Sequence, residues 1–183
     1  MNRRPNIDAL AERTASKATW DDLALPPGQI ALLRRIADRA GRPSPINRKS
    51  RPISARGFAV LFVGKDAAEK LKAAQAVANG SRRALYRVDL SAVVSKYIGE
   101  TEKNLNRIFA AVEQSGALLL FDEADALFGK RSDVKDSHDR FAGLELNFLF
   151  RSISAYAVVS ILSAAATPSP TVLRRTRFAV HFR

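Results

Sequence analysis

Two acidic side chains, Asp122 and Glu123, directly follow a short apolar run in the middle of the chain. The run, residues 117–121, carries no charge and is too short for an ordinary helix. Such a run is typical of a strand buried on both faces of a parallel sheet. The acids would then lie at the carboxyl end of the strand, where open α/β sheets bind ligands. A carboxylate pair there could hold a metal ion and activate a water molecule.

A simpler explanation of the same acids is that they begin the next helix. Carboxylates are favoured in a first helical turn because the helix dipole is positive there. Asp122 could do this as well as Asp125, and for Asp125 we expect nothing more. This motif alone leaves both explanations open.

A second candidate site follows the apolar run 58–63, which also has the length of a strand. A phosphate-binding loop has the form G-x-x-x-x-G-K-[ST], in which backbone amides and the lysine bind phosphates and the hydroxyl holds Mg²⁺. Gly64 and Lys70 have this spacing, but Glu69 replaces the second glycine and Leu71 the hydroxyl residue.

Both replacements act against a bound triphosphate. A glutamate carboxylate about 4 Å from a phosphate would cost roughly 4 kcal/mol at an effective dielectric near 20, unless the side chain turns away. Leu71 has no oxygen for Mg²⁺. Taken alone, residues 70–79 are better explained as an ordinary amphipathic helix.

Composition limits the class of protein. With 183 residues, 46% of them hydrophobic, the chain can bury one core and carry a short appendage. The absence of cysteine excludes disulfide and thiolate sites, and two isolated histidines argue against zinc. No apolar run reaches the length of a membrane span, so we expect a soluble cytoplasmic protein. The net charge of +12 could attract anionic partners, but no aromatic residues are interleaved for base stacking, so nucleic acid is not expected.

The remaining pattern predicts three segments. Residues 1–41 are expected to be a helical extension, with a weak amphipathic helix over 7–18 and a second over 29–40. Residues 42–57 contain three prolines and no acid, which predicts an exposed basic linker. Residues 58–183 are expected to form an α/β core. Its predicted strands are 58–63, 84–89, 117–121, 158–162 and 178–182, and the helix before the fourth strand is predicted over 139–154.

Residues 95–105, 108–109 and 121–131 closely resemble the core of the AAA+ ATPases, in order as well as in spacing. The match is highly specific over 84–150 and fair over 58–83. It is closest to the bacterial group whose members often accompany contractile injection systems, where residues 20–23 and 136–140 are also familiar. The resemblance implies a three-layer α/β P-loop NTPase fold with a mostly parallel, five-stranded sheet.

The resemblance also implies roles for individual residues. Asp122 is similar to the Walker B aspartate that organises Mg²⁺, and Glu123 to the base that deprotonates the attacking water. The segment Lys96, Tyr97, Ile98 and Gly99 resembles the pore loop that grips an unfolded polypeptide in a hexameric ring. The alternative is that Tyr97 is an ordinary core aromatic, and we regard this alternative as the weaker of the two.

The family pattern weakens toward the end of the chain. Ala165 stands where a polar sensor residue is expected, and a methyl group cannot orient a water molecule. Arg174, Arg175 and Arg177 resemble the arginine-finger region, with a basic turn before the last strand as an equal alternative. The helical lid that follows this strand in the family is expected to be missing, which would weaken nucleotide binding.

We therefore expect an AAA+ protein of remodeller descent with weak or no ATP turnover. ATP and Mg²⁺ are the implied cofactors, and binding of both is expected to be impaired. The partners implied are a polypeptide substrate and further subunits of a homo- or hetero-oligomeric ring. The alternatives are an active ATPase in which Lys70, Asp122 and Glu123 suffice, and a pseudo-ATPase that binds without hydrolysis. A third and weaker hypothesis is that residues 122–125 are a helicase motif. Helicases with that motif need two tandem domains.

Overall fold

The computed structural model of the chain describes residues 10–15, 17–42, 57–94, 99–113, 115–128 and 137–182, without the side chains of 137–144. Three predicted pore-loop residues, Lys96, Tyr97 and Ile98, lie outside these ranges, and only Gly99 lies within them. Most of the predicted basic linker, 43–56, also lies outside them.

A single six-stranded sheet organises the described residues. Its strands are β1 (Glu12–Thr14), β2 (Ala59–Val63), β3 (Leu85–Asp89), β4 (Leu118–Asp122), β5 (Ser160–Ala164) and β6 (Phe178–His181). Their spatial order is β1-β3-β4-β5-β2-β6, and every neighbouring pair is parallel except β1 with β3. The predicted mostly parallel α/β fold is confirmed, with one strand more than the five expected. β2 and β5 are buried along their whole length, as central parallel strands should be.

Helices cover both faces of the sheet and complete three layers. They are α1 (Pro27–Gly41), α2 (Ala67–Gly80), α3 (Leu90–Val93), α4 (Glu100–Glu113), α5 (Asp125–Phe128), α6 (Ser137–Ala155) and α7 (Pro170–Arg175). On one face, α1 and α2 bury apolar residues such as Ile36 and Val77 against Phe62. On the other, α4 and α6 bury Ile108 and Ile153 in the second core cluster.

The predicted helix over residues 7–18 is wrong where the structure describes it. Glu12–Thr14 form β1, which pairs antiparallel with β3 in the register Glu12 to Arg87. The helical pattern in this segment relied mainly on alanines, which bury little surface. The unpaired edge of β3 offers backbone hydrogen bonds that a short isolated helix cannot match.

No helix among the described residues is both long enough and apolar enough to span a membrane.

Candidate active site

The residues of the altered phosphate loop and the acidic pair lie at the carboxyl edge of the sheet. Gly64 directly follows β2, Asp122 ends β4, and Ala165 directly follows β5. These three strands are neighbours in the order β4-β5-β2 and run in parallel, so their carboxyl ends lie side by side. The arrangement brings the lysine of the altered phosphate loop and the acidic pair to the same edge.

Lys70 lies in the first turns of α2 and is almost completely buried, with 5% of its surface exposed. Its Nζ donates a hydrogen bond to the backbone oxygen of Ala164, at 2.9 Å. The backbone N–H of Gly64 donates to the same oxygen, at 3.0 Å. Burial lowers the pKa of Lys70, and the charges of Asp122, Asp125 and Asp66 oppose that shift. The ammonium group is thus balanced by carboxylates and a carbonyl group of the chain itself.

The turn between β2 and α2 is shorter than a phosphate loop of the expected form. Only Gly64, Lys65 and Asp66 separate Val63 from the first residue of α2, Ala67. The predicted helix began at Lys70, so α2 begins three residues earlier than expected. Asp66 is its N-cap, and Asp66 Oδ1 accepts a hydrogen bond from the backbone N–H of Glu69 at 3.0 Å. An amide at this helix end is therefore satisfied by a carboxylate of the chain.

Glu69 does not point toward the turn. Its Oε1 accepts a hydrogen bond from the backbone N–H of Ala24, at 3.0 Å, and its Oε2 lies 4.0 Å from Lys72 Nζ. The repulsion expected from this carboxylate is therefore reduced, because the side chain is turned away and held. Leu71, the other altered position, is half-buried and packs against the core cluster of α1 and α2.

Asp122 is paired with an arginine that sequence reasoning did not single out. Arg87 donates from Nε and from its terminal nitrogen to Asp122 Oδ2, at 3.0 and 2.6 Å. Asp89 of β3 is in register with Asp122, so Arg87, two residues earlier, lies on the same face of the sheet. The sequence did contain a signal for this pair, because Arg87 lies two positions before the end of the neighbouring strand. Asp122 Oδ1 accepts from the backbone N–H of Glu123 at 3.1 Å.

Glu123 and Asp125 have different surroundings. Glu123 is exposed and has a positive φ of 53°, a conformation that non-glycine residues rarely adopt. Its carboxylate has no hydrogen bond or ion pair with the described part of the chain. Asp125 begins α5, as expected, but Asp125 Oδ2 also accepts from the backbone N–H of Ala165 at 2.8 Å. It thus fixes the segment after β5, a role that we did not predict.

The three candidate finger arginines lie in and just after α7, and their surroundings differ. Arg175 stacks over the ring of Phe150, 4.4 Å from its centroid, and donates to Asn147 Oδ1. Burial lowers the pKa of Arg175. Arg174 is exposed, and its side chain has no partner among the described residues. Arg177 precedes β6 and so lies toward the amino edge of the sheet, away from Lys70.

Comparison with known proteins places this geometry in context. The model of the ATPase family associated with various cellular activities (AAA) matches residues 60–183. The chain is 31% identical over 157 residues to the ATPase family gene 2 protein of Schizosaccharomyces pombe and 33% identical over 126 residues to the proteasome-activating nucleotidase of Methanocella arvoryzae. These alignments cover 85% and 65% of this chain but only 19% and 30% of those proteins. The chain therefore spans between about a fifth and a third of their length.

Solved structures agree on the fold. The FIGL-1 AAA domain in complex with ADP matches with a TM-score of 0.69 and 18% identity, over 99% of this chain and 62% of that chain. A chain of the HORMA:CdnC:Trip13 complex of E. coli MS115-1 matches with a TM-score of 0.67 and 19% identity, over 98% and 72%. At these identities the likeness extends to the fold alone.

Proposed function

We propose, from the premise that this chain belongs to the AAA family of ATPases, that it is a degenerate member with weak or absent ATP turnover. Its descent is from proteins that use ATP to remodel other proteins. The solved FIGL-1 domain holds ADP, which makes an adenine nucleotide the natural ligand class to test. The bacterial group linked to contractile injection systems is the proposed place of this chain within the family.

The observation that carries this proposal is that the two charged groups needed for Mg²⁺ and triphosphate are already paired. Lys70 Nζ is bonded to Ala164 O, and Asp122 Oδ2 to Arg87. Leu71 supplies no oxygen for the metal, and the short turn capped by Asp66 leaves little open loop. As arranged, these residues do not fit a magnesium-bound triphosphate, and no catalytic step is assigned to them.

We propose that these residues have the roles of their counterparts in the family. The residues at the carboxyl edge of the sheet are proposed to perform those roles poorly. Asp122 would organise the metal and Glu123 the attacking water in an active relative. Arg174 is the best candidate finger, because Arg175 is held by Asn147 and Phe150 within its own chain. The loop of Lys96, Tyr97, Ile98 and Gly99 is proposed to contact a polypeptide. The chain would then act as a subunit of a ring or as a substrate-binding module.

We also propose that residues 58–183 form the large AAA subdomain, joined by a basic linker over 42–57 to an extension over 1–41. The extension contributes β1 and α1 to the packed layers, so it is proposed to be a fixed part of the core rather than a mobile arm.

Nucleotide titration of the purified protein, with turnover measured in parallel, tests this proposal. We expect weak or no hydrolysis above background and little binding of ATP with Mg²⁺. The double substitution Glu69→Gly/Leu71→Thr restores the loop residues, and an increase in binding in that variant would support the assignment of the defect.

The competing function is an active ATPase, favoured by the common edge shared by Lys70, Asp122 and Glu123. It would be established if the unmodified chain hydrolysed ATP and if Glu123→Gln abolished that turnover. A matched Glu102→Gln variant, on α4, controls for the loss of a carboxylate elsewhere.

A further inference from the structure

A short segment before α1 lies against α2 along most of its length. We call residues 18–26 the strap. Near one end, Asn79 Nδ2 donates to Ala18 O at 3.4 Å, and the ring of Trp20 packs so close to Gly80 that a Cβ there would lie 2.6 Å from it. Near the other end, Ala24 N–H donates to Glu69. The strap therefore runs antiparallel to α2.

The lengths of the two segments agree with this arrangement. Ten residues of α-helix separate Glu69 from Asn79, which is about 15 Å. Six residues separate Ala18 from Ala24 and can span up to roughly 20 Å. Leu23 is buried at 7% exposure in the same core cluster as α2, which holds the middle of the strap down. The hydrogen bond to Glu69 thus fixes the strap at the end nearest the phosphate turn.

We propose that Glu69 is a latch that fastens the strap to the first turn of α2. Its side chain is only 15% exposed, and its own backbone N–H is capped by Asp66, so both ends of the residue are fixed. A hydrogen bond from a backbone N–H to a carboxylate is stronger than one between neutral groups. The strap is thus held by a contact within the chain.

One residue, Glu69, both forms the latch and alters the phosphate loop. A phosphate loop has glycine at this position, and glycine has no side chain to reach the strap. The presence of Glu69 therefore removes a feature of the loop and adds the contact with Ala24. The inference goes one step beyond the proposed function, since the latch would exist whether or not ATP is hydrolysed.

The Ala24 amide reports on the latch directly, and its hydrogen exchange can be followed by NMR in the full chain. We expect Glu69→Ala to increase the exchange rate of Ala24 by about tenfold or more, because a charge-assisted hydrogen bond is lost. Lys72→Ala is the matched control, since it removes the 4.0 Å ion pair but leaves the hydrogen bond between Ala24 N–H and Glu69 in place, and there the rate should stay within about twofold. Unchanged exchange in Glu69→Ala, or equal acceleration in both variants, would overturn the proposal.

An acid titration of the unmodified protein tests the latch even if Glu69→Ala fails to fold. The Ala24 amide proton resonance should move as Glu69 is protonated, since the carboxylate is its acceptor. Glu69→Gln should abolish this movement, and Asp22→Asn should preserve it. An Ala24 resonance that does not respond to acid, or that responds equally in Glu69→Gln, excludes the latch. ATP turnover by the same preparation tests the proposed function separately, so either idea can fail while the other stands.

Discussion

Two charged groups of the carboxyl edge, Lys70 and Asp122, have partners within their own chain. Lys70, which would bind phosphate, donates to Ala164 O, and Asp122, which would organise a metal, accepts from Arg87. A ligand that displaced either contact would lose the free energy of that contact, which would weaken its binding.

The ion pair between Arg87 and Asp122 should be measurable by a double-mutant cycle. With 43% of the Arg87 side chain and 15% of the Asp122 side chain exposed, we expect a coupling energy of about 0.5–1 kcal/mol. Urea unfolding of Arg87→Met, Asp122→Asn and the double variant gives this value. A coupling indistinguishable from zero would contradict a stabilising role for the pair.

Gly64 is required by a close approach of the backbone. It has a φ of +155°, and a Cβ there would lie 2.7 Å from both Phe182 Cβ and Phe182 O. We expect Gly64→Ala to lower the free energy of unfolding by about 1–3 kcal/mol, as overpacking does. Gly28→Ala is the matched control, because no atom lies within 4 Å of a Cβ at that site. Equal stability of the two variants in urea unfolding would contradict this explanation.

At the scale of elements, the strap contains a capping box that should make its stability depend on pH. Asp22 Oδ2 accepts from the backbone N–H of Thr19 at 2.7 Å and from its hydroxyl at 2.8 Å. The backbone hydrogen bond is the largest of the causes that lower the pKa of Asp22, followed by the hydroxyl hydrogen bond and the charge of Lys72. A lowered pKa in the folded state means that the stabilisation is fully present above the pKa of the unfolded chain. It is lost as the pH falls through the folded value.

The corresponding measurement is the pH dependence of the unfolding midpoint. The difference between the unmodified protein and Asp22→Asn should be constant from about pH 7 to 5 and should shrink on acidification below about pH 4. Asp21→Asn is the control, because Asp21 makes no capping bond. A difference that grows toward acid would have the wrong sign for this mechanism.

Asp125 connects two elements across the candidate site, α5 and the end of β5. Removing its hydrogen bond to Ala165 N–H in Asp125→Ala should cost about 1 kcal/mol of unfolding free energy. Asp125→Asn retains a side-chain oxygen and should lose less. If both variants were as stable as the unmodified protein in urea, Asp125 would only begin α5, as the sequence alone predicted.

At the scale of the whole molecule, the N-terminal residues belong to the core. α1 buries Leu33, Ile36, Ala37 and Ala40, and β1 extends the sheet. A variant lacking residues 1–41 should lose about 5 kcal/mol from the buried side chains of α1 alone, which is comparable to the total stability of many domains. Thermal unfolding followed by circular dichroism should then lack a cooperative transition. A sharp transition in that variant would show that residues 58–183 fold independently.

Much of the fold followed from apolar runs of strand length. The runs 58–63 and 117–121 became β2 and β4 almost without change, because strands buried on both faces leave a continuous apolar signal. The segment 84–89 became β3, which is only partly buried. The fourth predicted strand, 158–162, lies two residues later as β5, Ser160–Ala164. The weakest pattern, over 7–18, failed because pairing with β3 prevailed over a marginal helix.

The candidate site was predicted less completely. Residue types and spacing brought Gly64, Lys70, Asp122 and Glu123 into consideration, and parallel topology placed them at one edge. We did not predict the contacts made by Arg87 and Ala24 or the second role of Asp125, because each acts on a residue that is distant in sequence. Such partners depend on strand order and register, which periodicity does not contain.

The sequence by itself determined the α/β class, the edge at which the acids and the lysine lie, and the loss of an oxygen at Leu71. Only the tertiary structure decided where the charges go: Glu69 to Ala24, Asp122 to Arg87, and Lys70 to Ala164. The physical reason is that side-chain chemistry is local to a residue, whereas its pairing depends on which neighbours the packed layers bring within hydrogen-bonding distance.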